Sequence, residues 1–248
     1  MQGVLPPAPP QTDAQLRWLD LVPVIVFTIL GVILVFAVVV VLARLDRSFY
    51  AANLETIALS ATLAIYLAFG AGIAVALRRL PSRLAFLGLR WPAPRDLGLL
   101  AALVIPWYIG IAVVTALSSA ALNGGRVVPG NTRSLFIQHP RGLGILVLAL
   151  LVTAVAAPLC EEAFFRGMLF RLLRRRLPLW AAVLLSATAF GLAHASPTVS
   201  FALLPVFIYM GVVLAVVYAW TGSLTNTVLL HSLNNAVGTV TVFFLLSR

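Results

Sequence analysis

Charge is what this chain has least of. Of its 248 residues only 10 % are charged while 62 % are hydrophobic, where an average soluble domain is about a quarter charged. So few charges cannot keep the surface of a soluble fold of this length in water, and the apolar excess equally excludes a disordered chain. Lysine is missing altogether, all 17 basic residues being arginine. A single cysteine, Cys160, rules out an internal disulfide framework and a thiolate zinc cluster. Met1 to Gln15 is rich in proline and polar residues but has no basic n-region, so it reads as a solvated tail rather than a cleavable signal peptide. No internal repeat is visible, which leaves an inverted-repeat transporter without support.

What remains is apolar sequence in long runs. A helix needs roughly 20 apolar residues to cross a bilayer core, and runs of this kind fall near 19–43, 54–77, 97–122, 142–164, 180–195, 203–220 and 224–246. The pattern predicts an all-α, polytopic transmembrane helix bundle of about seven spans, within six to eight. The fifth and sixth runs are short, and Ala195–Ser200 between them, carrying Pro197, is expected to dip back into the membrane. Residues 1–18 form the tail, 19–96 two helices and a basic loop, and 97–248 the core.

Arginine placement sets the expected orientation. Loop 78–96 carries Arg78, Arg79, Arg83, Arg90 and Arg95, and loop 171–179 carries Arg171, Arg174, Arg175 and Arg176. With seven spans these loops share a side with Arg17. Arg44, Arg47, Arg126, Arg133, Arg141 and Arg248 lie opposite. The positive-inside rule then puts the N-terminus in the cytoplasm. The net charge of +10, which in a soluble protein would suggest nucleic acid, is here a matter of topology and headgroup contact, and no nucleic-acid partner is expected. His139, in a polar loop, reads as an ordinary exposed residue.

The seven acids matter through their placement. Asp13, Asp20, Asp46, Glu55 and Asp96 fall in the tail or near span ends, leaving Glu161 and Glu162 as the pair that requires a buried explanation. Glu162 and Arg166 are i, i+4 and share a helix face, while Glu161 is rotated from it by about 100°. One carboxyl can thus be neutralised structurally while its neighbour serves another purpose. Phe190 and His194 share a face in the fifth run, and His231 and Asn235 share one in the seventh. Ionisable groups inside spans are costly and point to a site by default. Counted at about 1.5 Å per residue from the inferred cytoplasmic ends, Glu161 lies about 15 Å in, His194 about 21 Å and His231 about 10 Å.

In this order, Glu-Glu-x-x-x-Arg, Phe-x-x-x-His and His-x-x-x-Asn on separate apolar helices resemble the CAAX-protease and bacteriocin-processing (CPBP, or Abi) family of glutamate-dependent intramembrane endopeptidases. The match runs through Glu161, Glu162, Arg166, Phe190, His194, His231 and Asn235, about 75 residues by the motif spacing. The Leu87-Gly-Leu-Arg90 stretch also looks like that family's approach to its core, which would occupy 97–248. The first two spans match only as generic hydrophobic helices.

The resemblance implies that Glu161 is the general base and His194 its partner in activating water, with His231 and Asn235 donating to the oxyanion. Glu162 with Arg166 would keep the helix oriented, and Phe190 would pack beside the site. It further implies no cofactor or metal, a peptide or protein substrate presented at or in the membrane, and contact with the lipid bilayer. The arginine-only, alanine-rich composition points to a multi-pass protein of a bacterial cytoplasmic membrane.

Four other readings stand beside it. Glu161, His194 and His231 with a water are the donor types of a zinc site, although His-Glu-x-x-His is absent and asparagine is a poor zinc ligand. Metal content and activity in a strong chelator separate the two. Cys160 as nucleophile lacks an i+4 histidine. A non-catalytic immunity or scaffold protein of the same fold would keep the helices without turnover. A transporter would want charged residues along a path, and the centres of the first three runs have almost none.

Overall fold

The computed structural model of the protein describes residues 16–80, 82–126, 142–195 and 200–246, and among these it contains helices and turns but no strand. Seven helices dominate: α1 (Leu21–Leu45), α2 (Leu54–Ala76), α3 (Pro94–Leu122), α4 (Leu143–Arg174), α5 (Leu179–Ala193), α6 (Leu204–Thr221) and α7 (Leu224–Leu246). All but α5 are long and apolar enough to cross a membrane. The expected spans are therefore present, and the chain is an integral, multi-pass membrane protein. The expected dip around Pro197, the tail through Gln15, and His139, Arg133, Arg141 and Arg248 lie outside the described residues.

Local chemistry accounts for several ends. Pro94 opens α3, where a missing N–H costs nothing, and the Asp96 carboxylate accepts the Ala93 N–H at 2.8 Å. Asp46 caps the short helix Arg47–Ala52 by accepting the Phe49 N–H and the Ser48 hydroxyl, and these donors hold its carboxyl below the ordinary carboxylate range. Helix α6 stops at Gly222, whose φ of +61° favours glycine.

Helix α4 departs from expectation by running past Phe164 to Arg174. Its acids and arginine do not end it because Glu162 and Arg166 neutralise each other within it. Two of its turns are π-helical, Leu151–Ala156 and Phe165–Phe170, and they flank the glutamate pair on either side. Such turns re-aim side chains and recur at functional sites.

A second correction concerns the acids near span ends. Asp20, Glu55 and Asp96 are buried as well. Asp20 accepts the Arg17 N–H at 2.6 Å and pairs with Arg79 at 3.7 Å, and Asp96 pairs with Arg90 at 2.6 Å. Hydropathy locates an acid along a helix but not the cap or arginine that folds over it.

The chain divides into two compact units. One takes its described parts from Arg17–Arg79, Gly130–Glu161 and His231–Arg248. In it α1 and α2 approach closely at Gly72, where a Cβ would stand 2.7 Å from Val24 Cα. Elsewhere α1 exposes Leu30, Ile33, Leu34 and Phe36, as a lipid-facing helix does. Leu59, Ala149 and Phe243 form a small core in this unit.

The other unit takes its described parts from Leu80–Pro129 and Glu162–Leu230, with Leu16. Trp107, Phe190, Phe207, Met210 and Leu214 lead its core. Helices α5 and α6 nearly touch at Gly211, where a Cβ would lie 2.8 Å from Ala187 Cα. Within this unit the segment after α2 is tied to two distant helix ends. Arg171 Nη1 donates to Phe86 O at 2.5 Å, and the Leu224 N–H donates to Gly88 O at 2.9 Å. The Arg90 N–H donates to Thr225 Oγ1, which in turn donates to Arg90 O.

Candidate active site

Fewer than two turns of α4 carry Glu161, Glu162 and Arg166. Successive helical residues point about 100° apart, so Glu161 and Glu162 serve different neighbours. Glu162 and Arg166 are fully buried and pair at 2.9 Å. The guanidinium also donates from Nη2 to Gly211 O at 3.1 Å and lies 4.6 Å from the centroid of the Phe190 ring. The close approach at Gly211 is what lets this backbone carbonyl reach the arginine. A desolvated ion pair holds only when further groups satisfy it, and here a carbonyl and an aromatic face do so.

His194 closes α5 beside this cluster. Its Nδ1 stands 2.8 Å from Phe190 O, and its ring stacks on Phe207 at 4.5 Å with 21° between planes. A carbonyl can only accept, so Nδ1 carries a hydrogen.

Glu161 lies in the other unit, buried at 7 % exposure. The Tyr66 hydroxyl of α2 donates to its Oε1 at 2.5 Å, and His231 Nε2 of α7 stands 3.9 Å from its Oε2. Asn235, one turn beyond His231, donates from Nδ2 to Thr153 O at 2.8 Å, in the first π-helical turn. The Thr153 hydroxyl donates to Ala149 O and bonds the Thr239 hydroxyl at 2.8 Å. His231, Asn235 and Thr239 thus form one polar face along α7.

The structure brings Glu161 together with His231, and Glu162 and Arg166 with Phe190. Tyr66, Gly211, Phe207, Thr153 and Thr239 were not singled out from the sequence. Tyr66 alone left a signal, since a phenol in the middle of an apolar span requires a hydrogen-bond partner. Cys160 is half-buried, with its Sγ 3.4 Å from Tyr66 O, a helix-packing contact. Among the described residues no three His, Cys, Asp or Glu side chains gather into a group that could hold a metal ion.

Residues 143–237 match the family model for type II CAAX prenyl endopeptidase Rce1-like proteins. The chain is 30 % identical to the membrane-embedded CAAX protease MroQ of Staphylococcus aureus over 157 residues, 58 % of this chain and 60 % of that one. It is 28 % identical to an uncharacterized 24.3 kDa protein of Escherichia coli over 145 residues, 57 % of this chain and 66 % of that one. Each match spans less than two thirds of the relative's own length. No solved structure matches significantly. All seven motif residues, from Glu161 to Asn235, fall inside the stretch 143–237, which is less than half of the chain and is similar to the type II CAAX prenyl endopeptidase Rce1-like family.

Proposed function

We propose that the protein is an intramembrane endopeptidase that hydrolyses a peptide bond with water activated by Glu161 and His194. The observation that carries this reading is a buried carboxyl fixed through one oxygen by Tyr66 while the other faces His231. A carboxylate so held, away from bulk water, is a general base whose orientation needs no rearrangement during reaction. The part given to His194 is supported by its motif. His231 and Asn235 supply oxyanion donors. Asn235 uses one amide hydrogen on Thr153 O, which orients the second. Glu162 and Arg166 brace the helix behind the base.

Attack of the water on the scissile carbonyl gives a tetrahedral oxyanion. Glu161 takes the water proton, and that proton is passed to the leaving amine with no covalent enzyme intermediate. The substrate is a peptide or protein presented at or in a bacterial cytoplasmic membrane, the N-terminus of the enzyme lying inside.

The test uses the full chain in liposomes of phosphatidylglycerol and phosphatidylethanolamine with lipid-anchored, internally quenched peptide libraries, one set farnesylated and one acylated. Wild type is expected to cleave, and Glu161→Gln to lose at least a hundredfold in kcat. Full activity in Glu161→Gln sinks the assignment, and activity abolished by a strong chelator and restored by zinc would favour a metalloprotease.

A further inference from the structure

A residue far from the matched stretch reaches the proposed base. Tyr66 sits in the middle of α2, among apolar residues that resemble no motif, and residues 143–237 do not include it. Its hydroxyl donates to Glu161 Oε1 at 2.5 Å, within the same unit. The same residue meets α4 a second time through its backbone, where Tyr66 O receives the Cys160 Sγ contact at 3.4 Å. One turn on, at Gly70, an added Cβ would touch Cys160 Sγ at 3.4 Å, so α2 and α4 are in close contact along this face. Tyr66 is thereby held against residues 160 and 161 by side chain and main chain together.

The two carboxylate oxygens of Glu161 are consequently not equivalent. Oε1 takes the phenol, and Oε2 is the oxygen that faces His231 Nε2 at 3.9 Å. Rotation about the last torsion of Glu161 would turn the plane of the carboxyl and carry its second oxygen off His231, and that torsion is broad in the absence of a partner. We infer that Tyr66 is a positioning residue of the active site, which fixes the plane of the Glu161 carboxyl so that the oxygen not bonded to the phenol meets the reacting water. The inference rests on the protease reading of Glu161 for its catalytic meaning, but the hydrogen bond itself can be read without any substrate.

The experiment compares wild type, Tyr66→Phe and Glu161→Gln in the liposome assay and by infrared difference spectroscopy. The Glu161 carboxyl signal is identified as the band missing from Glu161→Gln. In Tyr66→Phe that band is expected to move, while kcat falls about tenfold and KM stays within twofold. The thermal midpoint in detergent should match wild type, because the aromatic ring and its packing are kept. Phenylalanine lacks only the hydroxyl, so a structural role alone would leave kcat intact or lower both kcat and stability, and either result overturns the inference. An unmoved band overturns it as well. If wild type cleaves no peptide, the protease reading fails and the infrared band alone decides whether Tyr66 fixes the carboxyl.

Discussion

At the scale of single residues, Arg166 has a large energetic consequence. It is fully buried, paired with Glu162 at 2.9 Å and held by Gly211 O. Deleting one partner of such a pair strands a charge in a medium without water, a loss of about 3–5 kcal/mol. Arg166→Met is therefore expected to lower the thermal midpoint sharply and reduce the amount of folded protein recovered in detergent. Glu162→Gln combined with Arg166→Met removes both charges and should regain most of that stability, since apolar replacement of a whole buried pair is often neutral. Thermal unfolding of the single and double variants in the same detergent measures the difference. Equal loss in both would show that the arginine acts through its packing on Phe190 and not through its charge. The role of this pair was legible in the i, i+4 spacing. Its third partner was not, because nothing local to residue 166 announces a carbonyl 45 positions away.

Helices set the next scale, and here glycines decide how near two backbones come. At Gly211 an added Cβ would lie 2.8 Å from Ala187 Cα and 3.0 Å from Ala187 O, both main-chain atoms that cannot swing aside. Gly211→Val must push α5 from α6 and carry the Gly211 carbonyl off Arg166. Overpacking of this kind costs about 1–3 kcal/mol, and activity on peptides should fall together with the thermal midpoint. A contrasting case is the face of α7. Thr239→Val keeps the shape but removes the hydroxyl bonded to Thr153, and interhelical bonds inside membranes average about 0.6 kcal/mol. Its midpoint should move little. The sequence carries the seven apolar runs plainly because length and composition alone define a span. It does not carry the contact of Tyr66 with Glu161, which joins residues 95 positions apart, and no residue pattern in α4 marks its π-helical turns.

For the whole molecule, the question is whether α5 crosses the membrane at all. Its 15 residues reach about 22 Å, short of a core of about 30 Å. The hydrogen bonds within its unit answer this by parity. Gly88 O accepts the Leu224 N–H, and Arg90 and Thr225 exchange bonds, so the segment after α2 and the start of α7 share one membrane face. Between them run α3, α4, α5 and α6, and an even number of crossings is required. The other three helices are long enough to span, and with each of them crossing once α5 must cross too. Trp91, Trp180 and Trp220, all largely exposed, then mark the same interface as the arginine-rich loops, where indole rings settle. This fixes a prediction for single-cysteine variants made in a Cys160→Ala background, which should itself retain peptide cleavage if the thiol is no nucleophile. Ser82→Cys and Arg176→Cys lie on the arginine-rich face, and Arg126→Cys lies on the opposite one. In intact bacterial cells a membrane-impermeant maleimide should modify Arg126→Cys and leave the other two unlabelled until the membrane is opened. Labelling of Ser82→Cys and Arg176→Cys with opposite accessibilities would show that α3 or α4 does not cross, and would remove the premise from which the crossing of α5 follows. Both labelled from outside, with Arg126→Cys protected, would preserve the crossings and invert the orientation derived from the arginines.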